Sequence, residues 1–270
     1  MNKLNDFLNK AGMSPARYLY ENDCLYALLD LEDQSEFISY AKRELRLNGL
    51  VMRERYKLIR DVFEAFQDID YALIKGAILS QGAYGNELYR KSGDIDLFIS
   101  PKDISEFKYR LKNLGFVQGY IKKGIIKTLS RAEIIFHSTS THQLAPFCRK
   151  VSGLFNKVIE IDINFNIMWS ESNINLGLEC FEDGILEKMF LGQPIKKLCA
   201  IYEFIVLCLH HYKDLNSIYL LFTRGFRVRH LCDIYYYLIN HSDITPQKLF
   251  SVAQKYNVGA YIYNCISYVF

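Results

Sequence analysis

The chain has 270 residues, half of them hydrophobic, with 14% aromatic and 23% charged, a globular composition that excludes a disordered chain. A net charge of +3 does not indicate a protein dedicated to coating nucleic acid. The seven cysteines are scattered and form no CxxC pair, which argues against a disulfide framework or a thiolate zinc site.

The opening segment MNKLNDFLNK carries charges through its apolar positions and lacks the apolar stretch of a signal peptide. Leu25, Leu28 and Leu29 recur at helical spacing, as do Phe37, Ala41 and Leu45, and Asn48-Gly49 reads as a helix stop. Val51–Phe66 reads as a further amphipathic helix. Tyr71-Ala72-Leu73-Ile74 is then a short apolar strand, ended by Lys75-Gly76 and followed by a helix to about Leu88. Asp94–Ile99 alternates polar and apolar, as a half-buried strand does, and Pro101 stops it. Ile104–Leu114 predicts a helix, and Gly115-Phe116 opens a run of short strands to about His137. Val158–Ile167 alternates again, with Glu160, Asp162, Asn164 and Asn166 on its polar face.

Nothing after Trp169 reads as a strand. The rest predicts helices beginning near Glu179, Leu198, Asn216 and Thr245. The longest apolar run, near Leu198–Leu209, is broken by Glu203 and is too short for a bilayer. The expected class is α+β: a helical segment over 1–67, a small mixed twisted sheet over 68–170, and a helical domain over 171–270. The expected setting is soluble, reduced and cytoplasmic, with no membrane partner.

The chemistry concentrates in Ser92-Gly93-Asp94-Ile95-Asp96-Leu97. Residues two apart on a strand share a face, so Asp94 and Asp96 present two carboxylates side by side. Such a pair is costly unless neutralised, and magnesium, which prefers oxygen ligands, neutralises it well. A third acid from a neighbouring strand would complete a site for two ions. Asp162 is the first candidate and Glu160 on the same face is the second. Upstream, Gly76 sits at a strand-to-helix turn, where backbone N–H groups can approach a phosphate. A DxD pair alone also occurs on solvated strand edges, and a lone glycine in ordinary turns; strand, glycine, helix, strand and DxD in that order give the two motifs one site.

The run Leu73-Ile74-Lys75-Gly76-Ala77, then Tyr84, Tyr89, Arg90 and Ser92-Gly93-Asp94-Ile95-Asp96-Leu97, resembles the bacterial uncharacterised nucleotidyltransferase family within the polymerase-β nucleotidyltransferase superfamily. Ile159–Asn164 resembles that family's third-acid strand, with Asn164 where a histidine often stands. Leu207-Cys208-Leu209-His210 with Lys213, and Arg229 with Leu231-Cys232-Asp233, resemble its C-terminal helical signature. The superfamily's second glycine or serine is replaced by Ala77, with Ser80 one turn on. The resemblance implies a nucleotidyltransferase-type sheet, an NTP such as ATP as donor, two magnesium ions on Asp94, Asp96 and Asp162, and release of pyrophosphate to an unidentified acceptor: a small molecule, a peptide, a protein or a tRNA end.

Lys75, Gly76, Ala77, Ser80, Arg90, Ser92, His210 and Lys213 are the expected nucleotide-binding positions. Arg90 either reaches phosphate or braces Asp94. His210 also reads as a satisfied core histidine, and Arg229 with Asp233 as a helix-surface pair. Lys122, Lys123 and Lys127 could contact a nucleic acid but read better as a solvated face. The competing reading is a non-catalytic nucleotide-binding or partner-docking protein that keeps the fold.

Overall fold

The structure is a computed structural model that describes residues 14–30, 36–169, 172–216 and 228–270. The opening decapeptide, and the helix expected from Asn216 onward through 217–227, lie outside the described residues.

The chain opens with α1 (Pro15–Glu21), α2 (Leu25–Leu29), the long α3 (Glu36–Leu58) and α4 (Arg60–Ala65). The predicted stop at Asn48-Gly49 is not a stop, because α3 runs straight through it. Asn48 is instead a buried polar group that donates to Leu88 O at 2.8 Å. A Cβ on Gly49 would lie 3.0 Å from Leu88 Cδ1, so this glycine permits a close approach between helix and loop. The helix read from Val51 to Phe66 is the end of α3 plus α4.

β1 (Tyr71–Ile74) leads into α5 (Gly76–Tyr84), β2 (Ile95–Ile99), a 3₁₀ turn at Pro101–Asp103, and α6 (Ile104–Asn113). β3 (Val117–Lys122) and β4 (Ile125–Thr128) form a hairpin. The strands expected to continue to His137 give way to α7 (Arg131–Ser140). The signal for that helix is the capping box of Ser130 and Glu133, whose side chains and backbone N–H groups satisfy one another. β5 (Phe147–Lys150) and β6 (Val158–Asn164) complete the central strands.

Beyond residue 170 a 3₁₀ segment (Leu178–Gly184) precedes two strands, β7 (Ile185–Phe190) and β8 (Gln193–Leu198). The sequence reading gave no strand here, so this hairpin corrects it. The chain ends in α8 (Ala200–Asn216), α9 (Val228–Asn240), α10 (Pro246–Lys255) and α11 (Gly259–Ser267).

The strands make one mixed sheet in the order β4-β3-β5-β6-β2-β1-β8-β7. The predicted α+β class holds, and the sheet is larger than the small one expected. β8 pairs parallel to β1, so neither β1 nor β2 is an edge, and both are buried along their length. Alternation divides them between two cores. Tyr71, Leu73, Leu97 and Ile99 face the helices around Met52, Phe63 and Phe107. Ala72, Ile74 and Phe98 face a second core that joins Ala16, Leu19 and Leu28 to Phe204, Ile234 and Ile262. Asp96, two residues before Phe98, points to this second side, toward the C-terminal helices.

Candidate active site

Asp96 stands opposite Asp162 in the parallel pairing of β2 with β6. Register thus brings together two carboxylates that lie 66 positions apart in sequence. Asp94 lies in the loop entering β2, and all three line one cavity of about 800 Å³ with Lys75, Gly76 and Glu160. The other wall comes from the C-terminal helices, through His210, Lys213, Arg229 and His230. A cavity of this size suits a small organic ligand.

Burial and the neighbouring Asp96 raise the Asp94 carboxyl above its usual range. Burial, Asp96 and Asp94 together push Asp162 well above it. Glu160 is raised by burial and by Asp94. Asp162 Oδ1 is buried and has no hydrogen-bond partner among the described residues. A buried, unpaired acid oxygen beside two other acids is costly without a cation. Lys75 supplies a positive charge here: its Nζ donates to Asp96 Oδ1 at 2.8 Å. Burial opposes the lysine charge, but Asp96, with Asp162 and Asp94, outweighs it and raises the group. Asn164 Nδ2 also donates to Asp96 Oδ1, at 3.3 Å.

Magnesium fits the chemistry of this donor set: hard oxygen ligands with an orphaned acid oxygen among them. No group of three or more His, Cys, Asp or Glu side chains among the described residues is arranged to hold a metal ion. The ammonium of Lys75 sits on Asp96 Oδ1 and would compete with a metal for that oxygen.

The glycine turn is strained. Lys75 has φ 56° and ψ −152°, and Gly76 has φ 47°. The first is a region that only glycine enters readily, so the backbone is bent to place the lysine and the helix start on the acids. A Cβ on Gly76 would lie 3.0 Å from Ser92 Oγ. Gly76 therefore lets the start of α5 close against the acidic loop. Ser92 turns that loop, donating to Asp94 O at 3.1 Å. Arg55 holds the loop from behind, donating to Ser92 O at 2.9 Å and to Asn156 Oδ1 at 3.2 Å.

Several expected positions fall elsewhere. Ser80 is fully buried and donates to Asn86 O at 2.7 Å, closing the turn after α5; it does not line the cavity. Ala77 is buried in the apolar core beneath the sheet. Arg90 borders the cavity, but its Nε donates to both carboxylate oxygens of Asp233 at 3.1 Å. It braces helix α9 rather than Asp94. Asp233 is thus no surface partner of Arg229; it is fully buried and also accepts from Tyr84 Oη at 2.6 Å. Burial would raise the Asp233 carboxyl, but Arg90 and His211 hold it well below the usual range.

His210 and Lys213 do reach the cavity. Burial, with Lys75 and Lys213 nearby, lowers His210 well below its ordinary value, so it faces the cavity as a neutral imidazole. Asn48, Arg55, His142 and the buried role of Asp233 escaped the sequence reading. Arg55 left one trace: a charge set between Met52 and Tyr56 on the buried stripe of α3. Lys122, Lys123 and Lys127 lie in the exposed β3–β4 hairpin.

The model of the family described as "Uncharacterised nucleotidyltransferase" matches residues 24–270. The chain belongs to this family. Membership places the protein in the nucleotidyltransferase, and hence transferase, class. No curated protein matches the chain. Among solved structures, an antigenic nucleotidyltransferase-like protein from Paracoccidioides brasiliensis is similar over 77% of this chain and 92% of its own, with 12% identity and a TM-score of 0.41. That likeness is too slight to bear on chemistry. No helix among the described residues is long and apolar enough to cross a membrane.

Proposed function

We propose that this nucleotidyltransferase-family chain transfers a nucleoside monophosphate from a magnesium-bound NTP to an acceptor hydroxyl, phosphate or amine, releasing pyrophosphate. The observation that carries the reading is the register of Asp96 opposite Asp162, with Asp94 two residues before Asp96, in a cavity that also receives Gly76 and the start of α5.

Asp94, Asp96 and Asp162 would hold the magnesium. Bound with the nucleotide, magnesium supplies positive charge that offsets the charge gathering on the phosphates. The N–H groups at the start of α5 bind the triphosphate, with Gly76 allowing its close approach. Lys75, which lines the cavity, is placed to pair with phosphate oxygens. The acceptor attacks the α-phosphorus in line, the bond to pyrophosphate breaks, and the acceptor's proton passes to Asp162. His210 and the other groups on α8 and α9 close the opposite wall, orient the substrate and limit water.

The test is magnesium-dependent release of pyrophosphate from NTPs, followed by labelled-NTP transfer onto fractions of a cell extract. Wild type releases pyrophosphate, and an Asp94→Ala, Asp96→Ala double variant does not. Equal release by both proteins defeats the proposal. The Lys75–Asp96 ion pair favours a second reading, a nucleotide binder without turnover; NTP-dependent stabilisation with no release of pyrophosphate would select it.

A further inference from the structure

Helix α3 presents a row of cations that nothing in the described chain neutralises. Lys42, Arg43, Arg46, Arg53 and Lys57 are all exposed, and none has an ion pair or a side-chain hydrogen bond among the described residues. At 3.6 residues per turn the five fall within about a third of the helix circumference and run along about 22 Å of it. The acids within that span, Glu44 and Glu54, are already engaged. Glu44 pairs with Lys91 at 2.9 Å, and Glu54 accepts from the N–H groups of Phe155 at 2.9 Å and Asn156 at 2.7 Å. Lys42 with Arg46, and Arg53 with Lys57, stand four residues apart, a like-charge spacing that weakens a helix. The stripe therefore costs the free protein stability that a bound polyanion would restore.

The stripe flanks the cavity, because the same helix lends Glu44, Leu47, Asn48 and Val51 to the cavity wall. Beside Val51 lies the loop between β5 and β6, tied down where Asn156 Nδ2 donates to Val51 O at 3.0 Å and where Glu54 holds its backbone. That anchoring leaves Phe155 41% exposed. A ring held at the surface next to a row of cations is a place for a base to stack.

We propose that the acceptor is the single-stranded end of a nucleic acid, with its phosphates along α3, a base on Phe155 and its terminal hydroxyl in the cavity. The inference rests on the transfer reading above and names its acceptor class. The hydroxyl oxygen bonds to the α-phosphorus, the bond to the leaving pyrophosphate breaks, and the hydroxyl proton passes to Asp162. A single strand fits better than a duplex, because only an unstacked end offers a free base face and a free terminus together. A lipid surface fits poorly: an interfacial helix inserts its apolar face, and the apolar face of α3, with Ala41, Leu45 and Met52, is buried in the protein. An acidic peptide would use the cations and leave Phe155 without a base to stack.

The experiment is fluorescence anisotropy of labelled oligouridine and oligothymidine, each about 20 nucleotides long, titrated with the full chain at several salt concentrations. Polyglutamate and phosphatidylserine vesicles serve as alternative polyanions. Wild type should bind the oligonucleotides with log K falling by about 3.5 per tenfold rise in salt, about 0.7 for each of five phosphates held. Replacing three cations together, Lys42→Gln, Arg46→Gln and Arg53→Gln, should lower that slope by about 2, with cooperative melting confirming the fold. Phe155→Ala should weaken binding about tenfold and leave the slope unchanged. With labelled NTPs, the triple variant should raise KM for the oligonucleotide and leave KM for the NTP as in wild type. Absence of oligonucleotide binding by wild type, a slope unchanged in the triple variant, or polyglutamate or vesicles bound as tightly as the oligonucleotides overturns the inference. Pyrophosphate release from NTPs, measured alongside, separates the two failures: its persistence leaves the transfer reading standing with another acceptor, and its absence withdraws both.

Discussion

The ammonium of Lys75 lies 2.8 Å from Oδ1 of Asp96, and the residue that reaches across in this way holds a backbone conformation of φ 56°, ψ −152°. The chain accepts strain at the end of β1 to keep a cation beside the central acid. Lys75→Met retains the strain and removes the charge. It should lower the melting temperature of the metal-free protein, because Asp96, Asp94 and Asp162 then face one another with less compensation. Magnesium should raise the melting temperature of Lys75→Met more than that of wild type, because no ammonium competes for Asp96. Thermal shift with magnesium and with chelator measures both.

Asp162 carries the orphaned oxygen, so its charge is a liability in the empty site. Asp162→Asn should melt higher than wild type in chelator, by an amount on the order of 1 kcal/mol. The same variant should lose pyrophosphate release by at least a hundredfold, on the scale set for removing one well-placed catalytic group. Lower stability together with retained activity would refute this role.

Asp233 behaves in the opposite sense. Its carboxylate is held by Arg90 and His211, well below the usual range. A depressed carboxyl contributes stability above its ordinary titration range and loses it as pH falls through the lowered value. Asp233→Asn should therefore destabilise the protein by about 3–5 kcal/mol at pH 7, because it leaves Arg90 buried and uncompensated. The gap to wild type should narrow as the pH falls below about 4. Urea unfolding at several pH values checks this.

Lys213 also makes stability rise with pH, in a higher window and through a charge that costs rather than stabilises. Its folded pKa of about 7 lies below the ordinary lysine value, so between those pH values the unfolded chain binds more protons and stability rises with pH. The cost of keeping Lys213 is thus complete below pH 7 and gone near pH 10.5, the ordinary lysine value. Lys213→Met should stabilise the empty protein at pH 6 and less so at pH 9. Paired melting curves of the two proteins give the difference directly.

Gly76→Ala should destabilise by about 1–2 kcal/mol, since φ is positive there and the new methyl meets Ser92 Oγ. Its larger effect should be on KM for the NTP, because the loop and the helix start no longer close together. A steady-state KM and kcat comparison separates the two.

Much of the sheet side of this site is legible in the sequence. β2 and β6 announce themselves by alternation, and that alternation puts Asp96 and Asp162 on polar faces. The missing strands lack such a signal. β7 is exposed over most of its length, β8 contains Pro194, and the turn between them is Leu191-Gly192, both with positive φ. Turns of that shape usually carry Asn-Gly or Asp-Gly, so Leu-Gly hid the hairpin. The helical wall was less legible still. Arg229 and Asp233 share a helix and read as partners, yet Asp233 is spent on Arg90, 143 positions earlier. His142 lies outside every periodic segment; only folding carries it to Lys213.

The two ends of the described chain meet in one place. Tyr26 packs edge-on against Tyr236, whose hydroxyl donates to Asp30 at 2.7 Å. The same apolar mass holds Leu28 from the beginning and Ile262 from the end. Trimming the amino-terminal helices would therefore act at the far end of the polypeptide: it would unseat α9, slacken the grip of Asp233 on Arg90, and let the roof over the acids sag. A protease that clipped only the first few turns would loosen the wall of the cavity without touching a residue that lines it.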